Sequence, residues 1–330
     1  MYSAPPRHRG SCPLGPPTVV VVGATASGKS RLAIELAERL IGAGRPTEIV
    51  NADSMLVYRG MDIGTAKPTL AERTRVVHHL VDVLDVTATA TVAEFQTRAR
   101  TAIADCRTRG VVPIVVGGSA LYIRAIVDEF DFPGTDPDLR ARLESELART
   151  GPEALHRRLS EVDRAAAAAI EPANGRRIVR ALEVIELTGQ PYAARLPQRR
   201  YHLPGVVQLG LAIERGVLDR RIEQRIDAMW AEGLVAEVVR LTERGLREGV
   251  TASRALGYRQ VLAYLDGEID EAEARRRTVV GTRKFARRQD SWFTQDERIT
   301  WLAHDRPDLV DAALLAVGPS TGDAGAGVGH

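Results

Sequence analysis

Gly23-Ala24-Thr25-Ala26-Ser27-Gly28-Lys29-Ser30 has the spacing of an eight-position phosphate-binding loop. Its two glycines let backbone N–H groups close around phosphate oxygens, and a following helix aims its N-terminal dipole at the same anion. Lys29 adds a point charge, and the Ser30 hydroxyl is the expected ligand for Mg²⁺. These eight residues imply a phosphate or diphosphate ligand without saying which molecule carries it. A nucleotide-hydrolysing enzyme would normally place a second acidic residue at the end of a hydrophobic strand to organise Mg²⁺. Here the strongest later strand, 111–116, runs into Gly117-Gly118-Ser119 instead, which argues mildly against hydrolysis.

Asn51-Ala52-Asp53-Ser54 follows a short strand at 48–50. Ligands of open α/β sheets bind beyond the carboxyl ends of the strands, which sets Asp53 beside the phosphate loop. A carboxylate there can take a proton from an attacking nucleophile, or it can cap the turn that it begins. Lys67 lies in the loop from Arg59 to Pro68, and surface and site fit it equally well. The chain has three lysines, Lys29, Lys67 and Lys284, among 45 basic residues, so each lysine stands out against a background of arginine.

These groups need a sheet to hold them. Residues 18–22 form a β-branched apolar run of the kind buried in parallel sheets, and 30–41 carry one apolar helical face. Strands at 48–50, 78–84 and 111–116 and a helix at 92–107 continue an alternation that predicts a parallel-sheet α/β core built around the phosphate loop. Residues 137–149, 152–159, 165–170 and 176–187 show helical periodicity only, so 133–194 reads as an all-helical insertion. The core resumes over 195–317, with strands at 206–213 and 299–302 and helices at 218–230, 234–244, 258–265, 269–289 and 307–316. With 18–132 it makes the catalytic domain, and 1–17 and 318–330 read as disordered tails.

Composition narrows the classes. Three hundred and thirty residues with 44% hydrophobic and 27% charged content suit about two globular domains. A net charge of +2 does not by itself announce a nucleic-acid partner. Cys12 and Cys106 are too few for a disulfide framework or a four-ligand zinc site. His78 and His79 face opposite sides of a strand, so they do not chelate together, and Cys106 reads as a buried helix residue. The first 17 residues lack the apolar run of a secretory leader, and no stretch reaches the ~18 apolar residues of a membrane span. A cytoplasmic protein without a membrane partner is the expectation.

Beyond the phosphate loop, the order of motifs becomes specific. Ala52-Asp53-Ser54-x-x-x-Tyr58-Arg59-Gly60-Met61-Asp62-Ile63-Gly64-Thr65-Ala66-Lys67-Pro68 precedes His78-His79-Leu80-x-Asp82. Val116-Gly117-Gly118-Ser119-x-Leu121-Tyr122 and Arg177-x-x-Arg180-Ala181-Leu182-Glu183 follow. Then come Arg221-Ile222-x-x-Arg225-x-x-x-Met229, Ala255-Leu256-Gly257-Tyr258-Arg259-Gln260 and Arg283-x-x-Ala286-Arg287-Arg288-Gln289-x-x-Trp292. In this order, over about residues 18 to 303, the chain resembles the tRNA dimethylallyltransferases, which prenylate adenine 37 beside the anticodon.

The resemblance implies that Gly23, Ala24, Thr25, Ala26, Ser27, Gly28, Lys29 and Ser30 hold the diphosphate of dimethylallyl diphosphate, with Mg²⁺ at Ser30. It implies that Asp53 is the general base for N6 of adenine. Arg225 would be a donor to the leaving diphosphate, and Ser119 a contact near the target nucleotide. For the anticodon stem-loop it implies Asp53, Ser54, Met55, Leu56, Ser119, Arg140, Arg176, Arg177, Arg180, Arg254, Gly257, Tyr258, Arg259, Arg287, Arg288, Gln289 and Trp292. Ser119 stands where the family usually has threonine, and Leu56 where glutamine is frequent. The helical insertion would grip the anticodon arm, and the family norm is a monomer.

Residues 275–288 support an RNA partner independently, with seven basic and no acidic side chains. Positions 277, 284 and 288, or 276, 283 and 287, share a helical face and would track phosphates. Two other readings remain open at this level. One is a phosphate-loop small-molecule kinase or an adenosine-phosphate isopentenyltransferase, which would need neither the insertion nor the basic stretch. The other is an RNA-binding protein that is non-catalytic or driven by ATP, which leaves Asp53 unexplained.

Overall fold

The computed structural model describes residues 15–130, 132–192 and 199–318. In chain order the strands are β1 (Thr18–Val22), β2 (Thr47–Asn51), β3 (His78–His79), β4 (Val112–Gly117), β5 (Val206–Ala212) and β6 (Ile299–Ala303). They pair in parallel in the order β3-β2-β4-β1-β5-β6. The helices are α1 (Lys29–Gly42), α2 (Leu70–Arg75), α3 (Val92–Thr108), α4 (Ala120–Val127), α5 (Pro137–Thr150), α6 (Pro152–Val162), α7 (Arg164–Ala169), α8 (Gly175–Thr188), α9 (Arg215–Ala231), α10 (Leu234–Thr242), α11 (Tyr258–Leu265), α12 (Glu271–Phe293) and α13 (Leu309–Val317). None of the described helices is long and apolar enough to cross a membrane.

The alternation of side chains along β1 explains the layers. Val19 and Val21 pack with Leu32, Leu36 and Leu40 of α1 and Ala313 and Val317 of α13. Val20 and Val22 face the other way, into a cluster with Ile103 of α3, Ile123 of α4, Val238 of α10 and Val261 of α11. A strand buried on both faces must be apolar at every position, and that is why its sequence is an unbroken valine run.

Strand register sets the site. Val22 pairs with Gly117, and Asn51 with Val116, so β1, β2 and β4 end at one level of the sheet. The phosphate loop, Asp53 and Ser119 all follow those ends directly. Gly117 is required by the closeness of the chains there, because a Cβ on it would lie 2.7 Å from the Ala52 carbonyl oxygen.

Two sequence expectations need correction. The strand expected over 78–84 stops at His79, because Leu80 and Asp82 adopt left-handed backbone angles, φ 61° and 58°, which no strand tolerates. Two helices escaped the periodicity. One is α2, nucleated by a Thr69–Glu72 capping box. The other is α4, whose eight residues ALYIRAIV form an apolar run too short for its period to separate helix from strand.

The chain divides into two compact units, residues 128–200 and the remainder. The first holds α5 to α8 around Leu143, Leu155, Leu159, Ile178 and Leu182. It extends a few residues past the expected 133–194 at each end, and the Glu129 N–H donates to the Arg200 carbonyl at 2.8 Å where the two ends meet. The tails expected at 1–17 and 318–330 lie outside the described residues except for 15–17 and 318, as does most of the start of the core's second segment at 195–198.

Replacing Gly117 by Ala should cost about 1–3 kcal/mol through overpacking against Ala52. The urea midpoint reports it, and an unchanged midpoint would show that β2 and β4 can separate without penalty.

Candidate active site

The phosphate loop connects β1 to α1 with backbone that only special residues adopt. Gly23 (φ 154°) and Gly28 (φ 102°) take positive angles, as does Ala26 (φ 64°). Gly28 is the N-cap of α1 and offers no side chain, so the first-turn amides receive no side-chain cap. Within the loop, the Ser27 hydroxyl is buried and has no hydrogen-bond partner. Uncapped helix amides and an orphaned buried hydroxyl are what a loop built for phosphate oxygens leaves open. Ser30 sits in the first turn of α1 with its side chain exposed, a neutral oxygen donor suited to Mg²⁺ beside a diphosphate.

Three charges converge on the loop. Burial lowers the Lys29 ammonium to about 8, against the opposing attraction of Asp53 and with a further push from Arg225. Burial also lowers the Arg225 guanidinium, again opposed by Asp53. Lys29, Asp53 and Arg225 therefore lie within one another's fields. Arg225 comes from α9, where Arg221 one turn earlier reaches the Ser27 carbonyl at 3.4 Å. Asp53 also acts as a turn residue: its Oδ1 accepts from the Met55 N–H at 2.9 Å, and its own N–H donates to the Asn51 side chain at 2.8 Å. Both roles offered by the sequence are thus compatible. Burial raises the Tyr122 phenol, opposed by the neighbouring Ser54 side chain. Ser54, Met55, Leu56 and Ser119 are all half-buried around Asp53 and the end of β4.

Several residues expected on RNA have other work. Gln289 is buried, and its Oε1 accepts from the Thr25 N–H of the phosphate loop at 2.8 Å. Its amide also lies where a Cβ on Gly118 would be, so Gly118 is needed to admit it. Tyr258 is fully buried, with its hydroxyl donating to Glu237 at 2.5 Å, and Gly257 is buried beside it. In the helical unit, Arg140 and Arg180 both pair with Glu183, which is 0% exposed. Arg180 also donates to the Pro133 carbonyl at 2.7 Å and the Gly134 carbonyl at 3.2 Å. Those two arginines neutralise a buried carboxylate, whereas Arg176 and Arg177 at the start of α8 are exposed.

The basic helix is likewise partly spent. Arg275 pairs with Asp227, Arg276 and Arg277 share Glu273, and Arg283 reaches Glu223. Among the described residues, Lys284, Arg287 and Arg288 hold no carboxylate and are exposed. A groove of about 490 Å³ between α11 and α12 is lined by Arg259, Arg276, Arg277 and Lys284. Trp292, 57% exposed, stands one turn beyond Arg288, and Arg254 and Arg259 are exposed nearby in sequence.

Sequence reasoning left Lys67 undecided and did not single out Glu237. Lys67 is buried, and its Nζ donates to the Tyr58 carbonyl at 2.7 Å, Asp62 at 2.7 Å and Asp82 at 2.6 Å. It is a strut within the loop rather than a free cation. His79 and Cys106, set aside as bland, meet at Glu48, with the three ligand atoms within 4.8 Å of one another. Arg109 forks both Glu48 oxygens at 2.8 and 2.7 Å and holds that carboxyl at about 2. Burial, with Glu48 beside it, pushes the Cys106 thiol up to about 12. This is a hydrogen-bonded cluster already closed by an arginine.

A glycine-rich loop with the phosphate-binding spacing at the end of a central parallel strand, with a carboxylate and an arginine in its field, marks an α/β fold with a candidate anion site. The family model described as IPP transferase matches residues 56–296, and the chain belongs to that family. It is 59% identical over 301 residues to a tRNA dimethylallyltransferase from a Nocardioides species, covering 91% of this chain and 96% of that one. The tRNA isopentenylpyrophosphate transferase of Bacillus halodurans has a similar structure, with a TM-score of 0.65, 38% identity, and 91% and 96% of the two chains covered. A eukaryotic dimethylallyltransferase described as acting on tRNA superposes with a TM-score of 0.77 at 25% identity, over 91% of this chain and 77% of its own.

The lowered Lys29 ammonium has a measurable consequence. It is charged below about pH 8 and neutral above, so affinity for a diphosphate ester should be greatest near pH 7. As pH rises past 8 the affinity should fall, approaching about tenfold per pH unit, since the bound anion favours the protonated form. Calorimetric titration from pH 7 to 9.5 would show it, and Lys29→Met should flatten the profile. A wild-type profile as flat as the variant's would remove Lys29 from the anion site.

Proposed function

We propose that the protein transfers the dimethylallyl group of dimethylallyl diphosphate to N6 of adenine 37 in tRNA and releases diphosphate. The reading rests on Lys29 of the phosphate loop lying within the electrostatic field of both Arg225 and Asp53. The relatives' printed activities supply the substrates. The exocyclic amine is a poor nucleophile, because its lone pair is delocalised into the ring. In the reaction the C1–O bond to the diphosphate breaks as the N6–C1 bond forms, and N6 loses one proton. Asp53 takes that proton. Negative charge grows on the departing diphosphate, and donors fixed in advance stabilise that charge more than they stabilise the substrate. The loop amides, the Ser27 hydroxyl, Lys29 and Arg225 are those donors. When bound at Ser30, Mg²⁺ would supply further neutralisation of the diphosphate.

Adenine 37 must leave its stack to reach Asp53, at a cost of a few kcal/mol. Sequence-specific RNA recognition works mainly on such splayed loops. Lys284, Arg287 and Arg288 form the phosphate track on α12, with Arg254, Arg259 and Trp292 beside them, and Arg176 and Arg177 serve the anticodon arm from the helical unit. We read the enzyme as a cytoplasmic monomer. A free-nucleotide transferase would not need these cations.

Transfer of labelled dimethylallyl to an unmodified anticodon stem-loop tests the reaction. Label should appear on the adenine-37 RNA and on neither AMP nor a stem-loop with guanine at 37, and Asp53→Ala should slow transfer by about 10²–10⁴-fold. Label on AMP would assign the protein to the free-nucleotide enzymes. No label on either, together with RNA-stimulated ATP turnover, would overturn the proposal.

The phosphate track has its own signature. Each phosphate contact contributes about 0.7–0.9 to the slope of log affinity against log salt. Replacing Lys284, Arg287 and Arg288 by Ala should lower the slope for the stem-loop by about 2, whereas Arg275→Ala, which removes a cation already paired with Asp227, should leave it nearly unchanged. Equal slopes for the triple variant and wild type would move the RNA to another face.

A further inference from the structure

Arg225 reaches the site from α9, and its Nη2 donates to the backbone carbonyl of Thr65 at 3.2 Å. Thr65 belongs to a loop without regular structure, so its carbonyl is useful only if the loop is held. The holding is extensive. Glu237 on α10 is 1% exposed, and its carboxylate accepts from three successive backbone N–H groups: Asp62 at 3.1 Å, Ile63 at 2.8 Å and Gly64 at 3.2 Å. The Tyr258 hydroxyl adds a fourth donor at 2.5 Å. Burial and the neighbouring Glu237 carboxylate raise the Tyr258 phenol, so it stays a neutral donor. Glu237 also lies in the first turn of α10, where the helix dipole favours a negative charge.

The rest of the loop is shaped to this anchor. A Cβ on Gly64 would lie 2.5 Å from the Tyr258 ring, so glycine is what lets the amide reach the carboxylate. The Thr65 hydroxyl donates to the Met61 carbonyl at 2.6 Å, and Ala66 turns the chain with φ 48°. Lys67 ties the loop's far end to Tyr58, Asp62 and Asp82.

We propose that Glu237, with Tyr258, is a positioning residue of the active site: by fixing the amides of Asp62, Ile63 and Gly64 it sets the Thr65 carbonyl that holds the Arg225 guanidinium toward the diphosphate. The proposal deepens the transferase reading and rests on it for the role of Arg225. Both residues are buried, Tyr258 at 0% and Glu237 at 1% exposure. Glu237→Gln replaces one acceptor oxygen with an NH₂ that faces backbone donors, and it leaves side-chain size unchanged. Tyr258→Phe removes one donor and keeps the ring.

The test is a double-mutant cycle between Glu237→Gln and Arg225→Ala, read as affinity for a non-transferable dimethylallyl thiodiphosphate, with thermal melting to confirm folding. Residues that act as a unit are non-additive. We expect each single variant to weaken binding, Arg225→Ala by about tenfold or more and Glu237→Gln by up to the same factor, and the double variant to bind no more weakly than Arg225→Ala alone. Single-turnover transfer should follow the same pattern, with the KM for the stem-loop little changed. Losses that multiply in the double variant would show that Glu237 acts on stability or on other groups, and would overturn the proposal. If Glu237→Gln does not fold, the same cycle with Tyr258→Phe decides, with a smaller expected loss and the same non-additivity. Because analogue binding needs no RNA, the cycle still reads out if the wild type fails to prenylate tRNA, and that failure would fall on the function alone.

Discussion

A loop that binds phosphate must leave hydrogen-bond donors unpaired until the ligand arrives, and unpaired donors in a buried loop are costly. The loop therefore depends on supports that do not occupy its open side. Here β1 enters it fully buried between two helical layers, and α1 leaves it without a side-chain cap. Arg221 reaches the Ser27 carbonyl, and Gln289 accepts from the Thr25 amide. Both supports come from helices far along the chain, α9 and α12, so assembly of the diphosphate site requires the second half of the core to be folded onto the first. The helical unit between the two core segments has a hydrophobic cluster of its own, which includes Leu143, Leu159 and Ile178.

The second requirement is electrostatic. Two cations facing one carboxylate leave a local excess of positive charge, and desolvation makes both cations harder to keep protonated. An anion bound at the loop would relieve that cost. Arg225 can contribute only if its guanidinium is aimed, since a flexible cation would follow the ground-state charge equally well. Holding it by a backbone carbonyl, and that carbonyl by a buried carboxylate, transfers the rigidity of α10 to a group that acts some distance away.

The parts legible in the sequence were those with local causes. The valine run, the glycines of the phosphate loop and the strands at 48–50 and 111–116 each act over a few residues, and they were enough to expect Asp53 beside the phosphate loop. What the sequence hid was the direction of side chains whose partners are distant. Tyr258 reads as a site residue by motif order, yet its hydroxyl meets Glu237, 21 residues earlier. Arg140 reads as an RNA cation, yet it meets Glu183, 43 residues later. Lys67 was ambiguous because its two carboxylates, Asp62 and Asp82, flank it at different distances across a chain reversal. The strand at 78–84 was overread for a related reason: Val81 and Val83 alternate as a strand would, but Leu80 and Asp82 turn left-handed so that Asp82 can face Lys67.

The arginine excess shows the same principle at the scale of the whole chain. Forty-five basic and forty-three acidic residues almost cancel, and many of the guanidinium groups are paired with a carboxylate. Counting cations along α12 suggests a seven-charge track, but Asp227, Glu273 and Glu223 withdraw four of the seven. Lys284, Arg287 and Arg288 remain, toward the end of the helix that carries Gln289. Counterion release depends on charges that can exchange their ions for phosphates, and a guanidinium already forked by a carboxylate has few to release. Those three exposed cations lie within five residues of Gln289, which holds the Thr25 amide of the phosphate loop.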